Sequence, residues 1–136
     1  MPSFAAVSHI SFSVRDADKT AAWWQEVFGL QEASRIEGNG WRAVILMLAP
    51  RTAIEFQQHE ANQGETFDPA RTGFDHMGLR VDSREELVEW QAHFEEKGVE
   101  HTPIVEHDYG DGPMSILTFK DPDRIQYEMF FWPDHP

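Results

Sequence analysis

Two histidines and two glutamates recur at matched places along this chain. His9 opens the stretch His-Ile-Ser-Phe-Ser-Val (9–14), and His76 opens His-Met-Gly-Leu-Arg-Val (76–81), an offset of 76 − 9 = 67 residues. The same ungapped offset sets Trp23 over Trp90. Near the end of each half stand Ile54-Glu55-Phe56 and Tyr127-Glu128-Met129, offset by 128 − 55 = 73, so 73 − 67 = 6 extra residues entered the second half between its His and its Glu. Equivalent side chains in two copies of one unit meet at a single point when a pseudo-twofold axis relates the copies. Two imidazoles and two carboxylates brought together in this way form a nitrogen and oxygen donor set suited to Ni, Co, Mn, Fe or Zn, with open positions left in an octahedral shell. The expected cofactor is therefore one divalent metal ion held by His9, Glu55, His76 and Glu128. Each histidine alone reads as an ordinary strand residue; their recurrence in register with two glutamates points to metal. Gathering two carboxylates without a cation would be costly, and an ion removes that cost.

The elements that must position these four residues are legible from periodicity. In 9–14, Ile10, Phe12 and Val14 alternate with His9, Ser11 and Ser13, so period two puts His9 on the face away from the apolar set. Met77, Leu79 and Val81 alternate in the same way with His76, Gly78 and Arg80. Asp16 reads as an N-cap for a helix to about Phe28, with Trp24, Val27 and Phe28 on one face and Gly29 as the stop. Ser83-Arg84-Glu85-Glu86 has the spacing of a capping box, followed by Leu87, Trp90 and Phe94 and a stop at Gly98. Three strands follow each helix, at roughly 32–37, 41–48 and 53–58, then at roughly 101–106, 114–119 and 125–131. Gly38-Asn39-Gly40 signals a hairpin. The longer His107–Pro113 loop replaces it in the second half and accommodates the insertion. Glu55 and Glu128 each lie between apolar neighbours, so all four candidate ligands fall on the polar face of two βαβββ units.

The expected fold is α+β: module one at about 7–58, a linker at about 59–73 and module two at about 74–131, in one domain spanning 1–136. The two modules are expected to be related by a pseudo-twofold axis and to form a half-open, cupped sheet.

Composition narrows the function classes. A chain of 136 residues with 40% hydrophobic residues, ten Phe and five Trp has ample material for a packed core. No apolar run approaches the roughly 18 residues of a membrane span, and the N-terminus lacks the features of a secretory signal. No cysteine is present, which excludes disulfides, thiolate ligands and cysteine nucleophiles and fits a cytoplasmic location. A net charge of −13 argues against nucleic acid as a partner. The expected partners are a small-molecule substrate and a second copy of the chain in a homodimer; the dense apolar C-terminus Phe130-Phe131-Trp132-Pro133 suggests the latter.

From about Val7 to Phe131 the chain resembles the vicinal oxygen chelate superfamily, whose members include glyoxalase I, extradiol dioxygenases, methylmalonyl-CoA epimerase, and fosfomycin- and bleomycin-resistance proteins. The motifs are the His-containing opening strands, Trp24-Gln25-Glu26-Val27-Phe28-Gly29-Leu30, and Phe119-Lys120-Asp121-Pro122-Asp123 leading into Gln126-Tyr127-Glu128. The family turn usually continues with Gly-Asn, where this chain has Arg124-Ile125. In metal-dependent members the ligands come from the first and last strands of each module. The resemblance therefore implies the glyoxalase I set at His9, Glu55, His76 and Glu128. It also implies a role as general base for Glu128, with Glu55 as its counterpart. Extradiol dioxygenases use only the equivalents of His9, His76 and Glu128, and bleomycin-resistance proteins lack the set.

The function these readings favour is a metal-dependent, glyoxalase-like lyase or isomerase acting on a small oxygenated substrate that chelates the ion. An Fe(II) ring-cleaving dioxygenase of extradiol type is the first alternative, with Glu55 counting against it as a fourth ligand. The second is a non-enzymatic protein that holds a cationic antibiotic in an acidic, aromatic-lined cleft. Among the other histidines, His59 shares the face of Glu55 but reads as exposed linker. His93 reads as solvated helix surface, His101 and His107 carry no preference, and His135 belongs to a terminal tail. Trp41, after the hairpin, reads as a pocket wall. Asp108, Asp111, Asp121 and Asp123 read as turn formers.

Overall fold

The computed structural model describes residues 1–108, 110 and 112–133. Asp111 and His135 lie outside the described residues. The chain divides into two compact units, Met1–Glu65 and Thr66–Pro136. In the first, β1 (His9–Ser13) leads through α1 (Ala17–Phe28) to β2 (Glu32–Gly38), β3 (Trp41–Ala49) and β4 (Thr52–His59). In the second, β5 (His76–Arg80) leads through α2 (Arg84–Lys97) to β6 (Val105–Asp108), β7 (Pro113–Lys120) and β8 (Gln126–Phe131). The strand orders β1-β4-β3-β2 and β5-β8-β7-β6 are the same plan twice. In each four-stranded sheet the first strand runs parallel to the last, and the other pairs are antiparallel. The fold is α+β, with two similar βαβββ modules.

Local chemistry explains why the helices begin and end where they do. The Asp16 side chain accepts from the Lys19 backbone N–H at 3.1 Å and caps α1. At α2 the Ser83 hydroxyl accepts from the Glu86 N–H at 3.2 Å, and the Glu86 carboxylate accepts from the Asp82 N–H at 2.8 Å. This is a capping box whose return bond reaches one residue further back than the N-cap. Both helices stop at a glycine in the left-handed region, Gly29 and Gly98, each with φ of 67°.

Each helix covers the apolar face of its own sheet. Trp24, Leu46, Ile54 and Phe56 are fully buried in the first unit, as are Leu87, Phe94, Leu117, Phe119 and Tyr127 in the second. Trp24 lies 4.6 Å from Phe28 and 5.8 Å from Phe56 between ring centroids, while Phe94 lies 4.8 Å from Phe119, which stacks on Tyr127 at 5.2 Å. Burying one such side chain contributes roughly 1.5–3 kcal/mol.

Two differences from the sequence reading have physical causes. The strand expected at 101–106 begins at Val105, because the register against β7 shifts by one residue around Pro103, between the His101–Phe119 bridge and the Val105–Ile116 pair. Before the proline the chain is held to β7 by an isolated bridge from His101 to Phe119, with the Thr102 N–H donating to the Thr118 carbonyl at 2.8 Å, the Lys120 N–H to the Glu100 carbonyl at 3.0 Å and the Thr118 N–H to the Thr102 hydroxyl at 3.1 Å. The turn carboxylates Asp121 and Asp123 are also buried, each only 5% exposed. Asp121 accepts from the N–H groups of Asp123 and Ile125 at 2.9 and 3.0 Å and from the Tyr127 hydroxyl at 3.1 Å. Burial pushes the Asp121 carboxyl up to about 7, against the hydrogen bonds that favour its anion.

Candidate metal centre

The parallel pairing of first and last strands sets each His beside its Glu. In the first unit His9 is level with Ala53 and Ser11 with Glu55. In the second, His76 is level with Gln126 and Gly78 with Glu128. Because residues two apart share a face, each His stands diagonally next to its Glu on the side of the sheet opposite the helix. The burial pattern agrees, with His9, Ser11 and Ser13 exposed while Phe12 and Val14 are buried.

The second pair is in direct contact. His76 Nε2 lies 3.4 Å from Glu128 Oε2, with the side chains 43% and 27% exposed. Two donors held about 2.0–2.2 Å from one ion stand about 3.0–3.5 Å apart at angles between octahedral and tetrahedral, so this pair fits the edge of a coordination shell. On the other side of the ring, His76 Nδ1 lies 2.6 Å from Asp75 Oδ1. That hydrogen bond raises the His76 pKa above its ordinary value; the charges of Glu128 and Asp75 add to the rise, and partial burial opposes it. Gly78, opposite Glu128, leaves the space beside the carboxylate free of a side chain, and a Cβ built there would meet only the Phe130 ring at 3.9 Å. In the first unit His9 Nδ1 is 3.1 Å from the Ser8 hydroxyl. Among the described residues, no group of three or more His, Cys, Asp or Glu side chains is arranged to hold a metal ion. What each unit offers is one imidazole and one carboxylate.

The open face of the first unit continues beyond Glu55. His59 is the last residue of β4, half-buried, and not part of the exposed linker that the sequence suggested. Its ring nitrogen lies 3.3 Å from the Gln57 amide, and it pairs with Trp41 across the β3–β4 ladder. Glu55, Gln57 and His59 thus form a row that ends at Trp41. Trp41 is a wall, as expected, in a cleft of about 350 Å³ whose lining also includes Glu37, Gly38, Arg42, Gln58 and Glu60. Its indole lies over Gly38, where an added Cβ would come within 2.2 Å of the ring, so only glycine permits this seat. His93 packs edge-on against Trp90 at 5.4 Å and is half-buried, not simply solvated. His101 donates its Nδ1–H to the Thr102 carbonyl, 2.7 Å away, and packs on Phe94 in the helix-side core. Ser8 and Asp75 were not singled out from the sequence, although each immediately precedes a repeated histidine.

The family model for the glyoxalase/bleomycin resistance protein/dioxygenase superfamily matches residues 6–129. The chain belongs to that superfamily. Among solved structures, a glyoxylase/bleomycin resistance protein/dioxygenase domain from Frankia sp. EAN1pec is 29% identical, with 95% of this chain and 98% of that chain covered and a TM-score of 0.83. A glyoxalase family protein from Enterococcus faecalis is 20% identical, covers 94% and 98%, and gives a TM-score of 0.74. The fosfomycin resistance protein FosX from Listeria monocytogenes, complexed with Mn(II) and sulfate, is 20% identical, covers 96% and 94%, and gives a TM-score of 0.69. The last two likenesses concern the fold. Among curated proteins, none matches this chain.

Proposed function

We propose that this protein is a divalent-metal-dependent enzyme of glyoxalase type, a lyase or isomerase acting on a small oxygenated substrate. The ion is held by His9 and Glu55 from one module and His76 and Glu128 from the other. The observation that carries this reading is the His76–Glu128 contact of 3.4 Å on an open sheet face, with His9 and Glu55 at the same register positions of the other module. The Mn(II) complex of a FosX relative supports manganese as one ion to load first.

When bound, the ion supplies Lewis acidity toward vicinal oxygens of the substrate. Glu128 acts as general base for a proton on carbon next to a carbonyl, receiving it on a carboxylate oxygen. The space left by Gly78 gives that proton an approach. Glu55 is the counterpart carboxylate of the first module, and the imidazoles of His9 and His76 orient the ion through their ring nitrogens. The Trp41 cleft serves as a wall for the part of the substrate that does not react.

The functional assembly is proposed to be a homodimer, and light scattering should give twice the 15.7 kDa chain mass; a concentration-independent monomer would remove that part of the reading. The decisive experiment is metal analysis of the purified protein. It is followed by loading with Mn, Ni, Co, Zn and anaerobic Fe(II) and a screen of 2-oxoaldehyde–thiol adducts, epoxides and catechols. Turnover of a non-aromatic substrate without oxygen uptake supports the lyase or isomerase. Oxygen uptake with Fe(II) and a catechol replaces it with a ring-cleaving dioxygenase.

A further inference from the structure

Both candidate histidine ligands are preceded by a residue that places an oxygen on Nδ1, and the two oxygens differ in kind. Asp75 Oδ1 stands 2.6 Å from His76 Nδ1, and Ser8 Oγ stands 3.1 Å from His9 Nδ1. Positions 8 and 75 share the offset 75 − 8 = 67 of the repeated histidines, so the arrangement is duplicated with the modules. Each preceding residue is also anchored through its carbonyl to the neighbouring strand. The Ala53 N–H donates to the Ser8 carbonyl at 3.0 Å, and the Gln126 side-chain amide donates to the Asp75 carbonyl at 3.4 Å.

A carboxylate only accepts hydrogen bonds. Asp75 therefore requires the proton of a neutral His76 on Nδ1, which leaves the Nε2 lone pair free on the side where Glu128 lies. Glu128 competes for a ring proton at Nε2, but from 3.4 Å against 2.6 Å. A hydroxyl both donates and accepts, so Ser8 is satisfied by either tautomer of His9 and selects neither. We propose that Asp75 is a positioning residue that presets His76 as an Nε2 metal ligand, while Ser8 leaves His9 to be set only when an ion arrives. This rests on the proposed metal reading and deepens it: of the two His–Glu pairs, that of the second module is the one preset for an ion. Partners of this kind on metal-bound imidazoles are worth 10–100-fold in affinity.

The test uses the full chain, metal-free, with nitrogen-15 in the histidine rings, at about pH 9, well above the ordinary histidine range. Long-range nitrogen–proton spectra should show His76 as the Nδ1–H tautomer and His9 mainly as the Nε2–H form that imidazole prefers in water. Asp75→Ala should return His76 to Nε2–H and weaken Mn(II) binding, measured by titration, by about 10–100-fold. Asp75→Asn, whose amide both donates and accepts, should no longer fix the tautomer, and Asp75→Glu, which keeps an acceptor-only group, is the conservative variant expected to retain it. Ser8→Ala should change affinity little, and Ser8→Asp should convert His9 to Nδ1–H and tighten binding. A wild-type His76 already in the Nε2–H form, or an Asp75→Ala protein that keeps both tautomer and affinity, overturns the proposal. A wild-type protein with the expected tautomers but no affinity for any of the divalent ions overturns the metal reading instead. In that case the spectra still uphold the Asp75–His76 assignment.

Discussion

The first module ties its helix to its sheet with an acidic helix end and basic strands; the second uses the opposite polarity. Asp18 on α1 meets Arg35 of β2 at 2.5 Å and Arg42 of β3 at 2.6 Å, and Arg42 also bonds Gln58, whose amide oxygen caps the Ala17 N–H. In α2 the helix supplies the cation, Arg84, to Glu106 of β6 at 2.7 Å, and the Ser115 hydroxyl donates to the same carboxylate. These partners hold the Asp18 and Glu106 carboxyls below their ordinary values, Asp18 chiefly through Arg42 and Glu106 chiefly through Ser115. The duplicated plan is thus kept by geometry while the chemistry of each contact has been exchanged. The same divergence reaches the open face, where a carboxylate stands behind His76 and a hydroxyl behind His9. The two turns before the last strands differ as well. The first is a short hairpin around Pro50-Arg51, and the second buries two aspartates under Tyr127.

The largest expected effect separates the two glutamates. Glu128→Gln is nearly isosteric and should leave folding intact while lowering the rate of the metal-loaded enzyme by about 10²–10⁴-fold. Glu55→Gln should weaken metal binding with a smaller loss of rate; steady-state kinetics beside metal content reads both, and equal losses would make the two modules functionally interchangeable. Next come the two cores. Trp24→Ala and Phe94→Ala should each cost about 3–5 kcal/mol in urea unfolding, because both side chains are fully buried. A loss confined to one module's signals would show that the modules unfold independently.

A smaller effect belongs to the second module alone. The Asp121 carboxyl is raised to about 7 from an ordinary 3.8, so folding favours its neutral form. Its contribution is complete below about pH 4, declines as the unfolded chain ionises, and is lost as the pH passes 7. Unfolding free energy compared between the wild type and Asp121→Asn across pH 4–8 should therefore show a downward slope with rising pH that the variant lacks. Tyr127→Phe should cost about 1–2 kcal/mol by removing the hydroxyl that serves Asp121. The smallest effects concern two arginines held at φ of 64°, Arg51 and Arg124. Glycine adopts that conformation without strain, so Arg51→Gly should stabilise by up to about 1 kcal/mol. Arg124→Gly should gain less, because it also gives up the 3.1 Å pair with Glu100, an exposed contact worth about 0–1 kcal/mol. Thermal or urea melts rank the two, and a larger gain at Arg124 would mean that its ion pair contributes nothing.

Much of this architecture was legible because local signals agreed with one another. Alternation put His9 and His76 opposite Phe12 and Leu79, the caps at Asp16 and Ser83 and the stops at Gly29 and Gly98 bounded the helices, and the repeat supplied the order of elements. What escaped the sequence depended on contacts that periodicity does not encode. A one-residue register shift around Pro103 delays β6. Asp121 looked like any turn former, yet the alternation of β8 placed Tyr127 on the helix side, and a buried phenol needs a partner. Asp75 and Ser8 have no period of their own, and only their places immediately before the repeated histidines mark them.

The parallel pairing of first and last strands also governs when each His–Glu pair can form. His9 is level with Ala53, 53 − 9 = 44 residues away, and His76 is level with Gln126, 126 − 76 = 50 residues away. Closing loops of this length is an entropic cost that must be met before the contact returns anything, so β1–β4 and β5–β8 are among the slower pairings in their modules. During synthesis the helix and the antiparallel hairpin of a module are available first, and its His–Glu pair assembles only after the last strand has emerged. The first module can reach that point while the second is still being made. A newly made chain therefore gains its two His–Glu pairs in sequence, His9 with Glu55 before His76 with Glu128.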